Sequence, residues 1–154
     1  KWREMFEVNV LGLSIATREA VKGMRAQKST EGCIVHIGSM SAYRIPNDKG
    51  GPGFYAATKM AVRALTESLR RELRAERLPI RIACISPGVV ASEFSANYNG
   101  IPAGDRETHS KEVYGKHKVL QPEDIADAVC YILGAPPHID VNDILMRSAE
   151  DPNI

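Results

Sequence analysis

Apolar residues recur along the chain at two spacings, and each spacing predicts a different kind of element. Residues 2 to about 26 carry apolar side chains three and four positions apart, which predicts a helix. Residues 33–37 form an unbroken run with β-branched residues, typical of a strand that is covered on both faces. A second helix is predicted at residues 54–76. A second strand follows at residues 80–85, and Pro87-Gly88 terminates it.

The second half of the chain continues this alternation after one long polar stretch. Residues 91–119 are polar with scattered glycines and predict a long mobile loop with at most one short helix. Pro122, followed by two acidic residues, begins a third predicted helix that reaches about Leu133. A last short strand is predicted at residues 141–146. Helices and strands in this order predict one α/β domain, with a parallel sheet and helices on its faces.

The composition is that of a soluble globular domain, with 44% hydrophobic and 25% charged residues among 154. A formal net charge of +1 gives no reason to expect nucleic acid or an acidic membrane surface as a partner. No apolar run approaches the length of a membrane span, so a cytoplasmic location is the default expectation.

The cysteines and histidines give no sign of a metal site. Cys33, Cys84 and Cys130 are widely spaced and odd in number. This pattern indicates reduced thiols, the first two in buried strands, and neither a disulfide framework nor a zinc site. The histidines share no ligand spacing, so no metal is predicted. His36 lies within an apolar strand, where a hydrogen-bonded core histidine is expected.

The stretch GPGFYAATKMAV places Tyr55 and Lys59 four residues apart at the start of the second helix. Residues with this spacing share a helix face, so the phenol and the ammonium group can occupy one pocket. A phenol has a pKa of about 10 in isolation, and a nearby positive charge lowers that value. The pair therefore predicts a tunable general acid or base. The alternative is an exposed tyrosine and a solvated lysine.

Two further polar residues stand where a site is expected. Ser39 follows the first strand and Gly38, and ligands of parallel sheets gather where the strands end. Its hydroxyl can donate a hydrogen bond to a substrate oxygen; Ser41 is the alternative donor, in which case Ser39 merely ends the strand. Asn9 lies in an otherwise apolar helix face, where a polar side chain needs a partner or a role. The alternative is an asparagine that satisfies the helix backbone.

The motifs VNVLG, IVHIGS, YAATK and ISPGVV occur here in the order found in the short-chain dehydrogenase/reductase family. Over nearly its whole length the chain resembles the C-terminal part of such an enzyme. The resemblance implies the C-terminal portion of a Rossmann-type, doubly wound parallel sheet with flanking helices. It also implies an NAD(P)-dependent oxidoreductase that interconverts an alcohol and a ketone or aldehyde.

The resemblance implies a role for each candidate residue. Tyr55 resembles the catalytic acid/base, and Lys59 the residue that lowers the tyrosine pKa and holds the nicotinamide ribose. Ser39 resembles the group that orients the substrate carbonyl, and Asn9 the asparagine that anchors a relay water. The segment that lines the nicotinamide is matched by Pro87, Gly88, Val90 and Ser92. The alternative for Pro87 and Gly88 is a turn that only ends the strand.

The C-terminal sequence, together with SMSAYR and CISPGVV, resembles a branch that includes insect farnesol dehydrogenases and vertebrate relatives acting on keto-steroids. This branch implies a small apolar alcohol or carbonyl substrate, such as an isoprenoid alcohol or a steroid. It favours NADP over NAD as the cofactor and a homodimer or homotetramer as the assembly. Phe94, Tyr98 and Tyr114 are candidates to cover such a substrate, with ordinary surface aromatics as the alternative.

The chain also departs from the family pattern. No glycine-rich phosphate loop follows a first strand, so the N-terminal dinucleotide-binding half is absent and residues 1–154 form a partial domain. We expect a fragment of a longer enzyme, with an exposed strand edge and weak cofactor binding. The alternative is an inactive chain that acts as an interaction partner of related subunits. The gap between Ser39 and Tyr55 is longer than usual and is filled by Asp48, Lys49, Gly50 and Gly51.

Charged residues of both signs alternate on the predicted second helix, which indicates a solvated face joined by salt bridges. The residues are Arg63, Arg70, Arg71 and Arg74 with Glu67, Glu72 and Glu76. The apolar stripes of the first two helices are expected to pack against the sheet or against a second subunit.

Overall fold

The computed structural model describes residues 1–29, 31–45 and 53–151. They form a sheet of three parallel strands with helices on both of its faces. The first helix, α1, has an α-helical turn, Trp2–Phe6, a π-helical segment, Glu7–Gly12, and an α-helical segment, Leu13–Ala26. The other elements are β1 (Gly32–Ile37), a 3-10 turn (Met40–Ala42), α2 (Gly53–Ala75), β2 (Ile80–Pro87), α3 (Phe94–Asn99), a second 3-10 turn (Ala103–Asp105), α4 (Arg106–Tyr114), α5 (Pro122–Gly134) and β3 (Asp143–Met146).

The described strands lie in the order β1-β2-β3, and both pairings are parallel. Gly32 lies opposite Ile80, and Cys84 lies opposite Asp143. The carboxyl ends of all three strands therefore meet at one edge of the sheet, which is where the predicted site residues follow β1 and β2. The α/β prediction with a parallel sheet is confirmed.

The core lies on the two faces of β2, whose side chains alternate between them. Ile80 and Ile82 pack against Val21 of α1 and Leu73 of α2. On the opposite face, Ala83 and Ile85 pack against Ile132 of α5. Because α1 and α2 share one face and α5 covers the other, the helix that carries Tyr55 is anchored directly on the central strand of the described sheet.

β1 packs on both faces, as predicted, but less completely than the sequence suggests: Ile34 contacts the cluster under α1 and α2, and Cys33 and Val35 contact the cluster under α5. Cys33, Ile34 and Val35 are half-buried, and Ile37 is 44% exposed. Within the described residues β1 pairs with β2 on one side, so its other side lacks the neighbour that would bury it. The unpaired side of this apolar strand is the exposed strand edge that the sequence predicts.

The π-helical segment of α1 is a feature that the apolar spacing did not predict. It spans Glu7–Gly12 and includes Asn9. A Cβ on Gly12 would lie 3.2 Å from the carbonyl oxygen of Glu7, so a residue without a side chain suits the end of this wide turn. Such π turns occur mostly as single insertions in α-helices and often at functional sites.

The prediction of a long mobile loop at residues 91–119 is also wrong, because two helices, α3 and α4, lie there. Side-chain hydrogen bonds join them: Ser95 Oγ lies 2.9 Å from His109 Nε2, and an Arg106 Nη donates to Asn97 Oδ1 at 2.9 Å. These polar contacts join the two helices, and apolar periodicity gives no sign of contacts of this kind.

The charged face of α2 is solvated in part. Arg71 pairs with Glu67, and Arg74 with Asp140, and both arginine side chains are exposed. Arg70 is buried instead, so the prediction is wrong for this residue. One Nη of Arg70 donates to the carbonyl oxygens of Ile82, at 2.9 Å, and Asn142, at 3.0 Å. Arg70 thereby ties α2 to β2 and to the segment before β3.

His36 is the hydrogen-bonded core histidine that the sequence predicts. Its Nε2 lies 2.9 Å from the Thr17 hydroxyl and its Nδ1 lies 2.8 Å from the Thr66 hydroxyl. Burial lowers the pKa of His36, so the ring is neutral at physiological pH. It joins α1 and α2 across the end of β1.

The three cysteines are free thiols: Cys84 is buried, Cys33 half-buried and Cys130 exposed. In the part of the chain that the structure describes, no group of three potential ligands could hold a metal ion. Each helix of the described residues is too short or too polar to cross a membrane. Asp48, Lys49, Gly50 and Gly51, which lengthen the gap before Tyr55, lie outside the described residues.

Candidate active site

The site begins where β1 leaves the sheet at Gly38. The Gly38 N–H donates to the carbonyl oxygen of Ile85 at 2.7 Å, which holds the chain against β2. A Cβ on Gly38 would lie 2.8 Å from both Cys84 Sγ and Ser86 Oγ, so a side chain here would force the two strands apart. This close approach delivers the next residue, Ser39, to the carboxyl edge of the sheet.

Ser39 is buried and has two polar neighbours. Its Oγ accepts a hydrogen bond from the Ser41 N–H at 3.1 Å, which starts the 3-10 turn. Its side chain also lies close enough to the Tyr55 phenol to oppose the rise of the pKa of that group. Ser39, and not the alternative Ser41, therefore meets the predicted acid/base, while the backbone of Ser41 supports it.

Lys59 and Tyr55 share the pocket that their spacing predicts. Both side chains are partly buried, and the Lys59 Nζ lies 5.7 Å from the centroid of the Tyr55 ring. The Nζ donates to the carbonyl oxygen of Ile37, the last residue of β1, at 3.0 Å. The alternative of an exposed tyrosine and a solvated lysine is wrong.

The expected lowering of the Tyr55 pKa is wrong in direction. Burial raises the pKa of Tyr55, the nearby Ser39 side chain opposes this rise, and Tyr98 adds to it. The rings of Phe94 and Tyr98 lie 5.5 and 6.0 Å from the Tyr55 ring. Since α3 covers the phenol and removes water from it, desolvation favours the neutral form. Burial also lowers the pKa of Lys59.

Asn9 is connected to the helix of Tyr55 and Lys59 through Thr58. The Asn9 Nδ2 donates to the Thr58 hydroxyl at 3.1 Å, and that hydroxyl donates to the carbonyl oxygen of Tyr55 at 2.7 Å. The amide thus binds a neighbouring helix and not its own backbone, which was the alternative. The π turn of α1 is the element that carries this amide. Its role with a relay water stays a prediction.

The predicted nicotinamide-lining residues follow β2 along the same edge. Pro87 is its buried last residue, and the Gly88 N–H donates to the carbonyl oxygen of Met146 at 2.8 Å. Val90 forms an isolated parallel bridge with Leu120. Ser92 is exposed, and its Oγ accepts the Phe94 N–H at 3.3 Å.

Gly88 has a packing role in addition to any cofactor contact. A Cβ on Gly88 would lie 3.0 Å from the Cβ of Arg147, which follows β3. The turn therefore both ends the strand and holds it against its neighbour, so the two interpretations of Pro87-Gly88 are compatible.

A groove of about 510 Å³ lies between α1 and β1. It is lined mainly by apolar side chains such as Val8 and Ile34, with Asn9 and Lys59 also in its lining. Tyr55 and Ser39 do not line it, so this groove is not the cleft where proton transfer is expected.

Comparison with known proteins gives the family. The family model for short chain dehydrogenases matches residues 1–100. The chain belongs to this family. It is 48% identical over 150 residues to the dehydrogenase/reductase SDR family member 11 of Bos taurus, covering 97% of this chain and 56% of that protein. It is 36% identical over 145 residues to the farnesol dehydrogenase of Aedes aegypti, covering 94% of this chain and 53% of that protein.

Solved structures of the family share the fold. A serine dehydrogenase complexed with NADP+ superposes with a TM-score of 0.81 at 30% identity, over 96% of this chain and 55% of that one. An alcohol dehydrogenase from Thermococcus sibiricus, complexed with 5-hydroxy-NADP, superposes with a TM-score of 0.71 at 26% identity, over 97% and 54%. The Rossmann-type fold class is confirmed, and the chain spans about half the length of the relatives that it matches.

The donor groups at this edge fit the nicotinamide end of the family cofactor. An ammonium group carries three N–H donors, and the bond to Ile37 uses one of those on Lys59. Two donors therefore stay available for ribose hydroxyls beside the Tyr55 phenol. The residues that follow β2 lie along the same edge of the sheet.

Thr58 is a site residue that the sequence analysis missed. It is 1% exposed and connects Asn9 to the backbone of Tyr55. Its place three residues after Tyr55, toward the buried side of the helix, is a local signal that could have identified it.

Proposed function

We propose that the complete protein is an NAD(P)-dependent oxidoreductase that interconverts an alcohol and a ketone or aldehyde. The observation that carries this proposal is the Lys59 ammonium, which lies beside the Tyr55 ring and bonds to the last residue of β1, next to Ser39 at the carboxyl edge of a parallel sheet. Membership of the short-chain dehydrogenase family supports it. So do the NADP+ and 5-hydroxy-NADP named for two solved relatives.

Tyr55 carries the proton in this proposal. In the reducing direction its O–H bond breaks as the substrate oxygen takes the proton, and in the oxidising direction the phenolate accepts the alcohol proton. A bound nicotinamide cofactor supplies or accepts the hydride at the substrate carbon. Because burial raises the pKa of Tyr55, the phenol is well suited to the donor role.

The neighbouring residues hold the proton and the substrate oxygen in place. Ser39 donates to the substrate oxygen and stabilises the charge that develops on it. The Lys59 cation stabilises the phenolate after proton transfer, and its free N–H groups would hold the nicotinamide ribose. Asn9 would fix a water in the path of the proton, since its amide keeps an oxygen acceptor and a second N–H beyond its bond to Thr58.

The aromatic residues of α3 favour an apolar substrate. Phe94 and Tyr98 pack on each other and on Tyr55, so the surface next to the proton donor is apolar. The similarity to a farnesol dehydrogenase points to an isoprenoid alcohol. Tyr114 contacts the segment just before these rings, since its hydroxyl donates to the carbonyl oxygen of Ser92 at 3.0 Å. We therefore propose an isoprenoid alcohol, a steroid or a compound of similar polarity, with NADP favoured over NAD.

We also propose that the complete protein forms a homodimer or homotetramer. Val8, Leu11 and Ile15 lie three and four residues apart on α1 and are 67%, 47% and 52% exposed. An exposed apolar stripe of this kind suits contact with a second subunit. Size-exclusion chromatography with light scattering tests this assembly, and a monomer would contradict it.

The decisive experiment replaces Tyr55 with Phe in the protein expressed from its complete coding sequence. Turnover of farnesol with NADP+, followed by the absorbance of reduced cofactor, should fall roughly 10³-fold, within the range for loss of a general acid–base group. Binding of NADPH, followed by its fluorescence, should stay close to wild type. Tyr131→Phe on α5 is the matched control, because this tyrosine is 65% exposed.

Comparable turnover in the Tyr55→Phe enzyme would refute the proposed acid/base. Absence of NADPH binding by the wild-type protein would favour the alternative of an interaction partner without catalysis.

A further inference from the structure

Tyr43 connects the segment that carries Ser39 to the far strand of the described sheet. Its hydroxyl donates to Asp143 Oδ2, at the first residue of β3. Its ring lies under the Arg63 guanidinium of α2, with the Arg63 Cζ 4.1 Å from the ring centroid. The side chain is therefore held at its tip by a carboxylate and on its face by a cation.

Asp143 is itself held by the central strand. Its Oδ1 accepts a hydrogen bond from Ser86 Oγ at 3.5 Å, and Ser86 is fully buried in β2. Ser86 also lies against Gly38, where an added Cβ would approach it to 2.8 Å. The Asp143 carboxylate thus joins β3 to β2 through Ser86, and to the segment after β1 through Tyr43. Ser86 in turn lies against Gly38, the residue before Ser39.

The segment between Ser39 and Tyr43 is one hydrogen-bonded turn. The Ser39 carbonyl accepts the Ala42 N–H at 2.9 Å, and the Met40 carbonyl accepts the Tyr43 N–H at 3.0 Å. The Ser39 Oγ accepts the Ser41 N–H at 3.1 Å. Because each residue is bonded within the turn, a shift of Tyr43 moves Ser39.

We propose that Tyr43 is a positioning residue, which through Asp143 and Arg63 holds the turn so that the Ser39 hydroxyl meets the Tyr55 hydroxyl. The inference rests on the proposed function of Ser39 and Tyr55. Tyr43 does not exchange protons itself, because burial and the Asp143 carboxylate raise its pKa to about 12. It stays protonated and keeps donating across the working range of pH.

The first test replaces Tyr43 with Phe in the protein expressed from its complete coding sequence. The change keeps the ring under Arg63 and removes the hydroxyl that reaches Asp143. We expect kcat for farnesol oxidation with NADP+ to fall about tenfold, as for a displaced catalytic group. The KM for NADP+ should not change. Asp143→Asn is a second variant with the same expected direction, and Tyr131→Phe is the control.

A double-mutant cycle separates positioning from a general loss of stability. If Tyr43 acts through Ser39, Tyr43→Phe should reduce turnover in the wild-type background and have little further effect in a Ser39→Ala background. An equal loss in both backgrounds would show that Tyr43 is merely structural, and would overturn the proposal.

The pH profile gives an independent readout. Alcohol oxidation should rise with pH as Tyr55 ionises, and the nearby Ser39 side chain lowers the pKa of Tyr55. Tyr43→Phe should therefore move this rise to higher pH, as Ser39→Ala should. Among the described residues, the titratable groups near Tyr55 are Lys59 on α2 and Tyr98 on α3, and the variant leaves both unchanged.

Among the described residues, the charged groups that face Tyr43 from other elements are Asp143 and Arg63, and the Ser86 hydroxyl also lies near its phenol. A profile and a kcat equal to those of Tyr131→Phe would overturn the proposal for Tyr43. Those results would leave the proposed function intact as long as Tyr55→Phe is inactive, so the two failures are distinguishable.

Discussion

Tyr55 and Tyr43 stand in two regions of similar construction. Each ring lies beside a cation of α2: the Lys59 Nζ is 5.7 Å from the centroid of Tyr55, and the Arg63 Cζ is 4.1 Å from that of Tyr43. Lys59 and Arg63 are four residues apart, so the same face of the helix serves both tyrosines. The Tyr43 hydroxyl donates to Asp143, and the Tyr55 phenol has the Ser39 side chain near it.

The partners of the two hydroxyls differ in charge. Tyr55 meets the neutral hydroxyl of Ser39, whereas Tyr43 donates to the carboxylate of Asp143. Burial raises the pKa of both phenols, but Ser39 opposes the rise at Tyr55, while Asp143 adds to it at Tyr43 and takes the pKa to about 12. In the proposed function, the second neighbour decides whether a tyrosine beside a cation serves as an acid/base or as a fixed donor.

The largest effect is expected from removing the cation beside Tyr55. Lys59→Met should reduce turnover roughly 10³-fold, because the phenolate of the proposed reaction would lose its stabilising charge. Lys59→Arg should recover part of this loss, since it restores the charge with a different shape. Steady-state kinetics of both variants measure the difference. If Lys59→Met retains wild-type kcat, the cation is not what prepares Tyr55 for proton transfer.

A smaller effect on turnover is expected from removing the hydroxyl of Ser39, the neutral neighbour of Tyr55. Ser39→Ala should lower kcat roughly 10²-fold, as for loss of one donor to a developing oxyanion. Ser41→Ala is the matched control, because Ser41 contacts Ser39 through its backbone N–H, which alanine keeps. Parallel kcat measurements decide between the two serines. Equal losses in both variants would contradict the assignment to Ser39.

We expect the stability of the protein at alkaline pH to depend on Asp143, the carboxylate that accepts from Tyr43. The pKa of Tyr43 is raised above its unfolded value near 10 to about 12 when folded. Its contribution to stability is therefore complete below the unfolded pKa and is lost as pH rises through about 12. Asp143→Asn should bring the Tyr43 pKa down, which the ultraviolet absorbance of tyrosinate measures.

The same variant should lower the free energy of unfolding at neutral pH by about 1 kcal/mol, because a hydrogen bond to a charged group is replaced by a neutral one. An unchanged tyrosinate titration in Asp143→Asn would show that the carboxylate does not set the ionisation of Tyr43.

The smallest effect on stability is expected from removing Arg63, the cation that lies over the Tyr43 ring. Arg63→Met should reduce the free energy of unfolding by about 0.5 kcal/mol, the size of an exposed cation–π contact. Arg77→Met is a control, since Arg77 follows α2, is exposed and has no ion pair or ring contact among the described residues. Urea denaturation of the two variants compares them. A larger loss in the control would remove the contact with Tyr43 as the explanation.

Features that depend on local spacing were predictable from the sequence. The i, i+4 spacing places Tyr55 and Lys59 on one face of a helix, whatever the rest of the fold does. Likewise, the apolar run before Ser39 identifies a strand, and parallel strands bring their carboxyl ends to one edge. The relative positions of these three residues therefore follow from the sequence.

Features that depend on contacts between distant segments were not predictable. The direction of the Tyr55 pKa depends on Phe94 and Tyr98, which cover the ring from a stretch that was predicted to be a loop. Arg70 resembles its exposed neighbours in sequence, but the strand carbonyls that it reaches are known from the structure alone. Tyr43 meets Asp143 across 100 residues, a separation that no local pattern reports.

The π turn in α1 changes the direction in which side chains point before and after it. Such a turn holds one residue more than a regular α-helix, which rotates the following side chains by about 100°. Asn9, within the turn, reaches Thr58, while Thr17, beyond it, reaches His36. Deleting one residue from Glu7–Gly12 would leave a continuous helix but turn one of these contacts away. Changes of length are therefore more damaging here than most single substitutions.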